Sequence, residues 1–137
     1  MRGGGAWGGE LGGGGDSVSA VEHISWAKWA DIVVYAPLTA STLAKLAHGV
    51  ADNALTTVSL AIPDGVPQLL CPAMNTVMWE HPAVQRNLTL LKSYGRYTLL
   101  DPVAKRLACG DVGIGGLADV SDILAAIAAL SRAAPQP

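Results

Sequence analysis

The strongest constraint on the fold of this chain is the regular alternation of short apolar runs with segments of helical pattern. Residues 32–36, 68–71 and 97–100 are rich in β-branched and other apolar side chains, and a proline follows each run closely. Short continuous apolar runs of this kind are typical of strands that are buried on both faces of a parallel sheet. Because helical segments separate them, the pattern predicts right-handed strand–helix–strand units and an α/β fold.

The helical segments are predicted from apolar spacing and from signals at their ends. Gly49 follows the second segment, Pro82 begins the fourth, and Ser121 is a suitable N-cap for the last. Three strand candidates are few for a free-standing sheet of this class. We expect helices at residues 17–30, 39–48, 52–61, 83–94 and 121–129.

The first sixteen residues read MRGGGAWGGELGGGGD and differ in composition from the rest of the chain. Such a glycine-dominated segment cannot offset its conformational entropy by burial. We therefore predict a flexible tail at 1–16, a partial domain at 17–132 and a C-terminal tail at 133–137. A phosphate-binding glycine loop is the alternative, but that loop requires a preceding strand, and none precedes Gly3.

Composition narrows the class of function. The chain has 137 residues, of which 50% are hydrophobic and 15% charged, with a net charge of −2. This length suits one domain. The low charged fraction indicates either that much of the surface contacts other subunits or that part of the core lacks the segment that would pack against it. The charge does not favour nucleic acid or an anionic membrane, and no apolar run is long enough to span a bilayer. The histidines and cysteines lack metal-ligand spacing, and the cysteine usage indicates a reducing cytoplasm.

Polar side chains follow the first two strands, at the edge where α/β folds bind ligands. The turn at 37–42 carries the hydroxyls of Thr39, Ser41 and Thr42, which can cap a helix or contribute to an anion site with its free N–H groups. Asn75 follows the second strand. Its amide can hold a carboxylate or orient a planar ring, or it can simply occupy a turn beside apolar residues.

Two further residues are candidates for proton transfer. Cys109 lies in a glycine-rich loop, 109–116, where a thiol can act as a proton donor or nucleophile on a mobile lid. His23 lies in the first helical segment, and an isolated histidine is more often a surface or satisfied core residue than a base. Cys71, in contrast, is expected to be a buried strand residue.

Taken together, these clusters match one family in order and spacing. The series is His-Ile, Trp-Ala-Asp, a hydrophobic strand ending in Ala-Pro, Ala-x-Thr, Pro-Ala-Met-Asn-x-x-Met-Trp and Leu-Ala-Cys-Gly-Asp-x-Gly. Across about residues 21–130 the chain resembles the homo-oligomeric flavin-containing cysteine decarboxylases, specifically the phosphopantothenoylcysteine decarboxylases of coenzyme A biosynthesis. The last two motifs are specific, and their co-occurrence favours function over the purely structural interpretations.

The resemblance implies a flavodoxin-like (Rossmann-like), three-layer parallel sheet that binds FMN. It also implies a lyase that converts 4′-phospho-N-pantothenoylcysteine to 4′-phosphopantetheine, as a homotrimer with sites between subunits and without a metal. By the same resemblance His23 is the base, Asn75 holds the substrate carboxylate, and Cys109 donates a proton in the second half-reaction. The implied FMN contacts are Thr39, Ala40, Ser41, Thr42 and Ala73, and the further substrate contacts are Arg106 and Ala108.

The chain departs from the family pattern in several places. Ser41 stands where the family usually has Asn, and residues 117–119 read Leu-Ala-Asp where Met-Ala-Glu is common. The family's N-terminal strands and phosphate-binding turn are not recognisable in residues 1–20, which predicts an incomplete cofactor cradle and an exposed strand edge at 32–36. One alternative is a non-catalytic or fragment subunit that completes a partner's site. Another is a related flavin prenyltransferase or peptide cysteine decarboxylase, which the Ala-Cys-Gly-Asp motif disfavours.

Overall fold

The computed structural model describes residues 20–106 and 112–133 of the chain. Predicted features at residues 1–19, 107–111 and 134–137, among them the glycine-rich tail, lie outside the described residues. In chain order the elements are α1 (Ala20–Trp29), β1 (Val33–Leu38), α2 (Ala40–His48), α3 (Ala54–Ala61), β2 (Gln68–Pro72), α4 (Thr76–Glu80), α5 (Pro82–Ser93), β3 (Tyr97–Leu99), β4 (Val103–Arg106), β5 (Val112–Gly116) and α6 (Val120–Ala133).

Strands β1, β2 and β3 form a parallel sheet with β2 in the centre. All five residues of β2 are buried, as expected for a strand that is covered on both faces. The register places Leu69 between Val34 of β1 and Thr98 of β3. The parallel α/β sheet that the three apolar runs predict is therefore confirmed.

Helices cover both faces of this sheet, because successive side chains of a strand point in opposite directions. Leu70 packs in an apolar cluster that includes residues of α2 and α5, whereas Leu69 and Cys71 pack with Ile123 of α6 on the other face. This is the predicted three-layer, flavodoxin-like arrangement, and each fully buried leucine contributes roughly 1.5–3 kcal/mol to it. The buried members of the first cluster are Tyr35, Leu38, Leu43, Leu46, Ala47, Leu70, Leu88 and Leu91.

Strand β1 is longer than the run predicted at 32–36. The sequence predicts that Pro37 ends the strand, whereas β1 continues through Pro37 to Leu38. The ladder between β1 and β2 is irregular between Tyr35 and Leu38, and a residue without an N–H donor is tolerated at such an irregularity. Leu38 then pairs with Pro72. The extension carries β1 directly to the beginning of α2.

An antiparallel hairpin, β4–β5, forms where the sequence predicts only a glycine-rich loop over residues 109–116. Val103 pairs with Gly116, and Arg106 pairs with Val112. The prediction of a loop was therefore wrong for residues 112–116. The prediction failed because glycine-rich strands lack the alternating apolar pattern from which strands are predicted. Such a strand is recognised only from its pairing with a partner strand.

The remaining differences concern the ends of helices. Helix α2 begins one residue later than predicted because Thr39 is its N-cap, and α3 begins at Ala54 because Asn53 caps it. The last helix continues to Ala133 instead of ending at residue 129. Helix α4, with five residues, was not predicted because it is too short to show a helical period. Within the described ranges, no helix is both long and apolar enough to span a membrane.

Candidate functional site

Two turns and one strand meet at the carboxyl edge of the parallel sheet. The turn after β1 leads into α2, and the turn after β2 leads into α4. The backbone N–H of Ala73 donates to the carbonyl of Leu38 at 3.2 Å, which joins the two turns. The N–H of Met74 donates to the carbonyl of Gly115 at 2.8 Å, which joins the second turn to β5. The fold thus brings the predicted turns at residues 37–42 and 71–76 to one edge.

The N-terminus of α2 carries the predicted hydroxyl cluster. Thr39 caps this nine-residue helix, and its Oγ1 accepts a hydrogen bond from the backbone N–H of Thr42 at 3.2 Å. Thr39 therefore has a structural role, as one of the two interpretations of the sequence holds. Ala40 and Ser41 occupy the first turn, where backbone N–H groups have no acceptor within the helix and the helix dipole is positive. This end of α2 is suited to bind an anion or a carbonyl oxygen.

Asn75 has a similar position at the beginning of α4. Its Oδ1 accepts hydrogen bonds from the N–H groups of Val77 at 2.8 Å and Met78 at 3.4 Å. Because backbone N–H groups can only donate, these contacts fix which end of the amide faces the helix. The acceptor is used in capping, and the Nδ2 group, with two N–H donors, remains directed elsewhere. Asn75 is exposed, so the amide can donate to a ligand such as a carboxylate.

The described contact between the hairpin and the second turn lies at the base of the hairpin. Arg106 is the last residue of β4 and pairs with Val112, and nothing beyond this backbone pairing is described for it. Ala108 and Cys109 lie outside the described residues. Gly115, which the sequence did not single out, instead contacts the turn that carries Asn75. The available signal was a glycine within a possible strand, which often marks a close backbone approach.

His23 lies on α1, which makes its main helix contact with α3. Its side chain is 1% exposed, and neither ring nitrogen has a hydrogen-bond partner among the described residues. The ring of Trp26 lies 5.7 Å from the imidazole, tilted by 58°. A buried imidazole without a partner costs roughly 1–3 kcal/mol in desolvation, which is unusual for a purely structural residue. His23 is therefore a buried group with unused hydrogen-bonding capacity.

A cavity of about 190 Å³ lies at the opposite, amino edge of the sheet, between the ends of α2 and α5. Its polar side chains already have partners: Lys45 pairs with Asp52 at 3.0 Å, and Tyr94 and Arg96 donate to backbone carbonyls. The carboxyl edge is the candidate functional site, because the free end of the Asn75 amide and the first-turn N–H groups of α2 are left there for a ligand. The presence of a cavity therefore does not by itself identify the functional site of this chain.

The carboxyl edge fits a flavin in two respects. Ala40 and Ala73 have small side chains, which leave the backbone beside them accessible to a flat ring. The beginning of α2 supplies N–H donors, which suit the carbonyl oxygens and nitrogens of such a ring. In addition, Thr76 Oγ1 is buried without a partner among the described residues. Those residues contain no group of three or more side chains that could hold a metal ion.

Comparison with known proteins places the chain in a family. A family model described as Flavoprotein matches residues 14–132. The chain is 50% identical over 109 residues to a probable phosphopantothenoylcysteine decarboxylase of Streptococcus mutans, which covers 80% of the chain and 60% of that relative. It is 46% identical over 110 residues to the phosphopantothenoylcysteine decarboxylase of Mus musculus, covering 80% of the chain and 53% of that relative.

Solved structures agree with these matches. A mutant PPC decarboxylase complexed with pantothenoylaminoethenethiol is 42% identical with a TM-score of 0.78, over 82% of the chain and 61% of that structure. The FMN binding protein AtHal3 is 38% identical with a TM-score of 0.75, over 97% of the chain and 70% of that structure. The chain thus spans about 60% or less of the length of the curated relatives described above. Because the family model matches most of its residues, the chain belongs to the Flavoprotein family.

Proposed function

We propose that this chain carries out, as a lyase of coenzyme A biosynthesis, the FMN-dependent decarboxylation of 4′-phospho-N-pantothenoylcysteine to 4′-phosphopantetheine. The observation that carries the proposal is the fixed orientation of the Asn75 amide, whose free end can only donate. A carboxylate accepts hydrogen bonds and cannot donate them, so it is the complement of this group. The resemblance of the neighbouring motifs to decarboxylases supports the same substrate.

In this proposal Thr39, Ala40, Ser41, Thr42 and Ala73 lie against FMN. The first-turn N–H groups of α2 would donate to the ring, and the serine hydroxyl would provide the contact that an asparagine amide usually makes. When bound, FMN would accept two electrons from the cysteine moiety and return them after CO₂ has left, so that the overall reaction needs no external oxidant.

The protein groups orient the substrate and move protons. Asn75 holds the carboxylate that becomes CO₂, which fixes the scissile bond relative to the rest of the site. His23 removes a proton in the first half-reaction; its unpartnered ring nitrogens support this role. Cys109 returns a proton in the second half-reaction, and Arg106 and Ala108 contact the substrate from the hairpin side.

The proposal includes a homotrimer with sites between subunits, in the cytoplasm. Exposed apolar side chains support an assembly, among them Trp29 at 83% and Val77 at 75% exposure. The free thiol of the buried Cys71 is consistent with a reducing compartment.

The test is to purify the chain, record its flavin absorbance, and follow CO₂ and 4′-phosphopantetheine after addition of the substrate. The His23→Asn variant is expected to retain flavin but to release no CO₂. The Cys109→Ser variant is expected to release CO₂ without forming normal amounts of product. His48→Asn is the matched control, because His48 is exposed and bonded only to Asn87 in the described contacts, at 2.9 Å.

A colourless, inactive chain would contradict the proposal and favour the non-catalytic subunit. Full turnover by His23→Asn would remove that residue from the mechanism, and normal product from Cys109→Ser would do the same for the thiol.

A further inference from the structure

Gly115 makes the closest backbone approach that the described glycines show. Its φ is +137°, and a Cβ built on it would lie 2.2 Å from the carbonyl oxygen of Met74 and 3.4 Å from the nitrogen of Thr76. In the other direction, the N–H of Met74 donates to the carbonyl of Gly115 at 2.8 Å. The two residues that contact Gly115 directly flank Asn75 in sequence.

Only glycine fits at this point, for two independent reasons. The φ value lies in a region that L-residues rarely adopt, and the space for a methyl group is taken by backbone. The adjacent Gly116 differs in both respects. Its φ is not in that region, and the three atoms nearest to a Cβ there, at 2.7, 2.8 and 3.2 Å, all belong to the side chain of Lys105 and none to the backbone. The requirement for glycine therefore belongs to one residue and not to the whole strand.

The backbone of the turn that carries Asn75 depends on this approach for its position, while the side chains of Met74 and Trp79 pack against the core and Gln85 Nε2 donates to the Trp79 carbonyl at 2.7 Å. Helix α4, which follows the turn, has five residues, none of them buried, and a helix of that length is not stable by itself. On one side the turn is bonded to β1 through Ala73, and on the other side it is bonded to β5 through Met74. Gly115 thus supplies one of the two backbone attachments that set where the Asn75 amide points.

We propose that Gly115 is a positioning residue for Asn75, and that it acts by letting β5 lie directly against the Met74–Thr76 backbone. The inference deepens the proposed function and rests on it for the role of Asn75 toward the substrate carboxylate. The contact itself is a property of the described backbone. The hairpin is, in this view, part of the substrate carboxylate site through its backbone at Gly115.

The first test is a double-mutant cycle with Gly115→Ala and Asn75→Ala. An added methyl group must move the Met74 carbonyl from 2.2 Å to at least 3.0 Å, a displacement of about 0.8 Å. Displacements near 1 Å cost on the order of 100-fold in rate, so we expect kcat/KM to fall roughly 10- to 100-fold, mainly through KM. In the Asn75→Ala background the same change should cost less than about threefold, because the positioned amide is already gone.

Two controls separate positioning from general damage. Gly116→Ala adds a methyl group to the neighbouring residue, and Gly65→Ala adds one at a φ of +93° where nothing lies within 4 Å. Both should keep KM within about twofold of the parent. If Gly115→Ala and Asn75→Ala combine additively, or if Gly116→Ala has the same effect as Gly115→Ala, the positioning role is wrong.

The second test does not use activity. Asn75 Oδ1 bonds the amides of Val77 and Met78, so their hydrogen exchange reports on the orientation of this side chain. Gly115→Ala should accelerate both by at least about tenfold, whereas Gly116→Ala and Gly65→Ala should not. A parent chain without decarboxylase activity would refute the proposed function. The exchange rates of Val77 and Met78 would then still decide whether Gly115 positions Asn75. Unchanged exchange in Gly115→Ala would refute the inference and leave the function standing.

The unmodified chain provides the measurement if Gly115→Ala does not fold. In native-state exchange, the amides of Met74, Val77 and Met78 should open together with the paired amides of β4 and β5, with the same dependence on denaturant. Opening of the turn while the hairpin remains protected would overturn the coupling.

Discussion

The substitution Asn75→Asp separates recognition of the substrate from the stability of the site. Aspartate and asparagine are about equally good N-caps, so the carboxylate can still accept from Val77 and Met78 as the amide oxygen does. Helix α4 should remain in place, with a change in unfolding free energy within about 0.5 kcal/mol. What changes is the other end of the side chain, where two N–H donors become an anionic oxygen.

The expected loss follows from the two effects of that exchange. Removal of a hydrogen bond to a charged group costs about 1.5–3 kcal/mol. Two like charges 4 Å apart add about 4 kcal/mol at an effective dielectric constant near 20, and the exposed position of Asn75 reduces this term. Since about 1.4 kcal/mol corresponds to a factor of ten, KM should rise at least roughly 100-fold.

The assay compares the substrate with its own product, because 4′-phosphopantetheine has no carboxylate. KM for the substrate should rise as stated, while the inhibition constant of the product should stay within about threefold of the parent. Asn75→Ala is the matched variant. It removes the donor without adding a charge and also removes the cap, so its KM rises less while its stability falls by about 1 kcal/mol. Equal losses for substrate and product, or a normal KM in Asn75→Asp, would refute carboxylate recognition by this side chain.

Two predictions concern the core. The buried Tyr35 hydroxyl donates to Gln68 Oε1 at 2.8 Å, and burial raises its pKa to about 12, so Tyr35→Phe should cost about 1–3 kcal/mol in urea unfolding. Between pH 10 and 12 the unfolded state loses this proton first, so stability should fall as pH rises; an equal slope in Tyr35→Phe would contradict the assignment. Burial also raises the pKa of the Cys71 thiol, so iodoacetamide at pH 8 should leave it unmodified until the chain unfolds, and labelling of the native chain, detected by peptide mass spectrometry, would contradict its burial.

Much of the fold was predictable because it depends on local sequence. Strand β2 is apolar along its length, since it is buried on both faces, and such a run is visible without knowledge of its neighbours. Gly49 ends α2 with a φ of +69°, which glycine adopts readily, so the boundary was predicted correctly. The position of Thr39 and Asn75 at one edge followed from the parallel topology alone, because neighbouring parallel strands end on the same side.

The features that were not predicted depend on contacts between distant segments. Strand β5 is a strand only because β4 lies beside it, and its glycines carry no side-chain pattern. The passage of β1 through Pro37 depends on an irregular ladder with β2, which the β1 sequence does not encode. The role of Gly115 depends on the position of the Met74 carbonyl, so it is visible in the structure and not in the motif.

The functional edge differs from the rest of the surface in how its polar groups are used. The two capping side chains differ in this respect: the Thr39 hydroxyl accepts from the N–H of Thr42 and donates to Thr42 Oγ1, whereas Asn75 caps α4 through Oδ1 alone. Capping also fixes the orientation of the Asn75 amide, because the helix N–H groups can only donate and therefore face the amide oxygen. The remaining capacity, amide N–H on Asn75 and free backbone N–H on α2, is therefore both available and pre-oriented, which lowers the entropic cost of binding an acceptor-rich ligand. At the amino edge the side chains of Lys45 and Tyr94 are already bonded within the protein, so the cavity there offers fewer free donors to such a ligand.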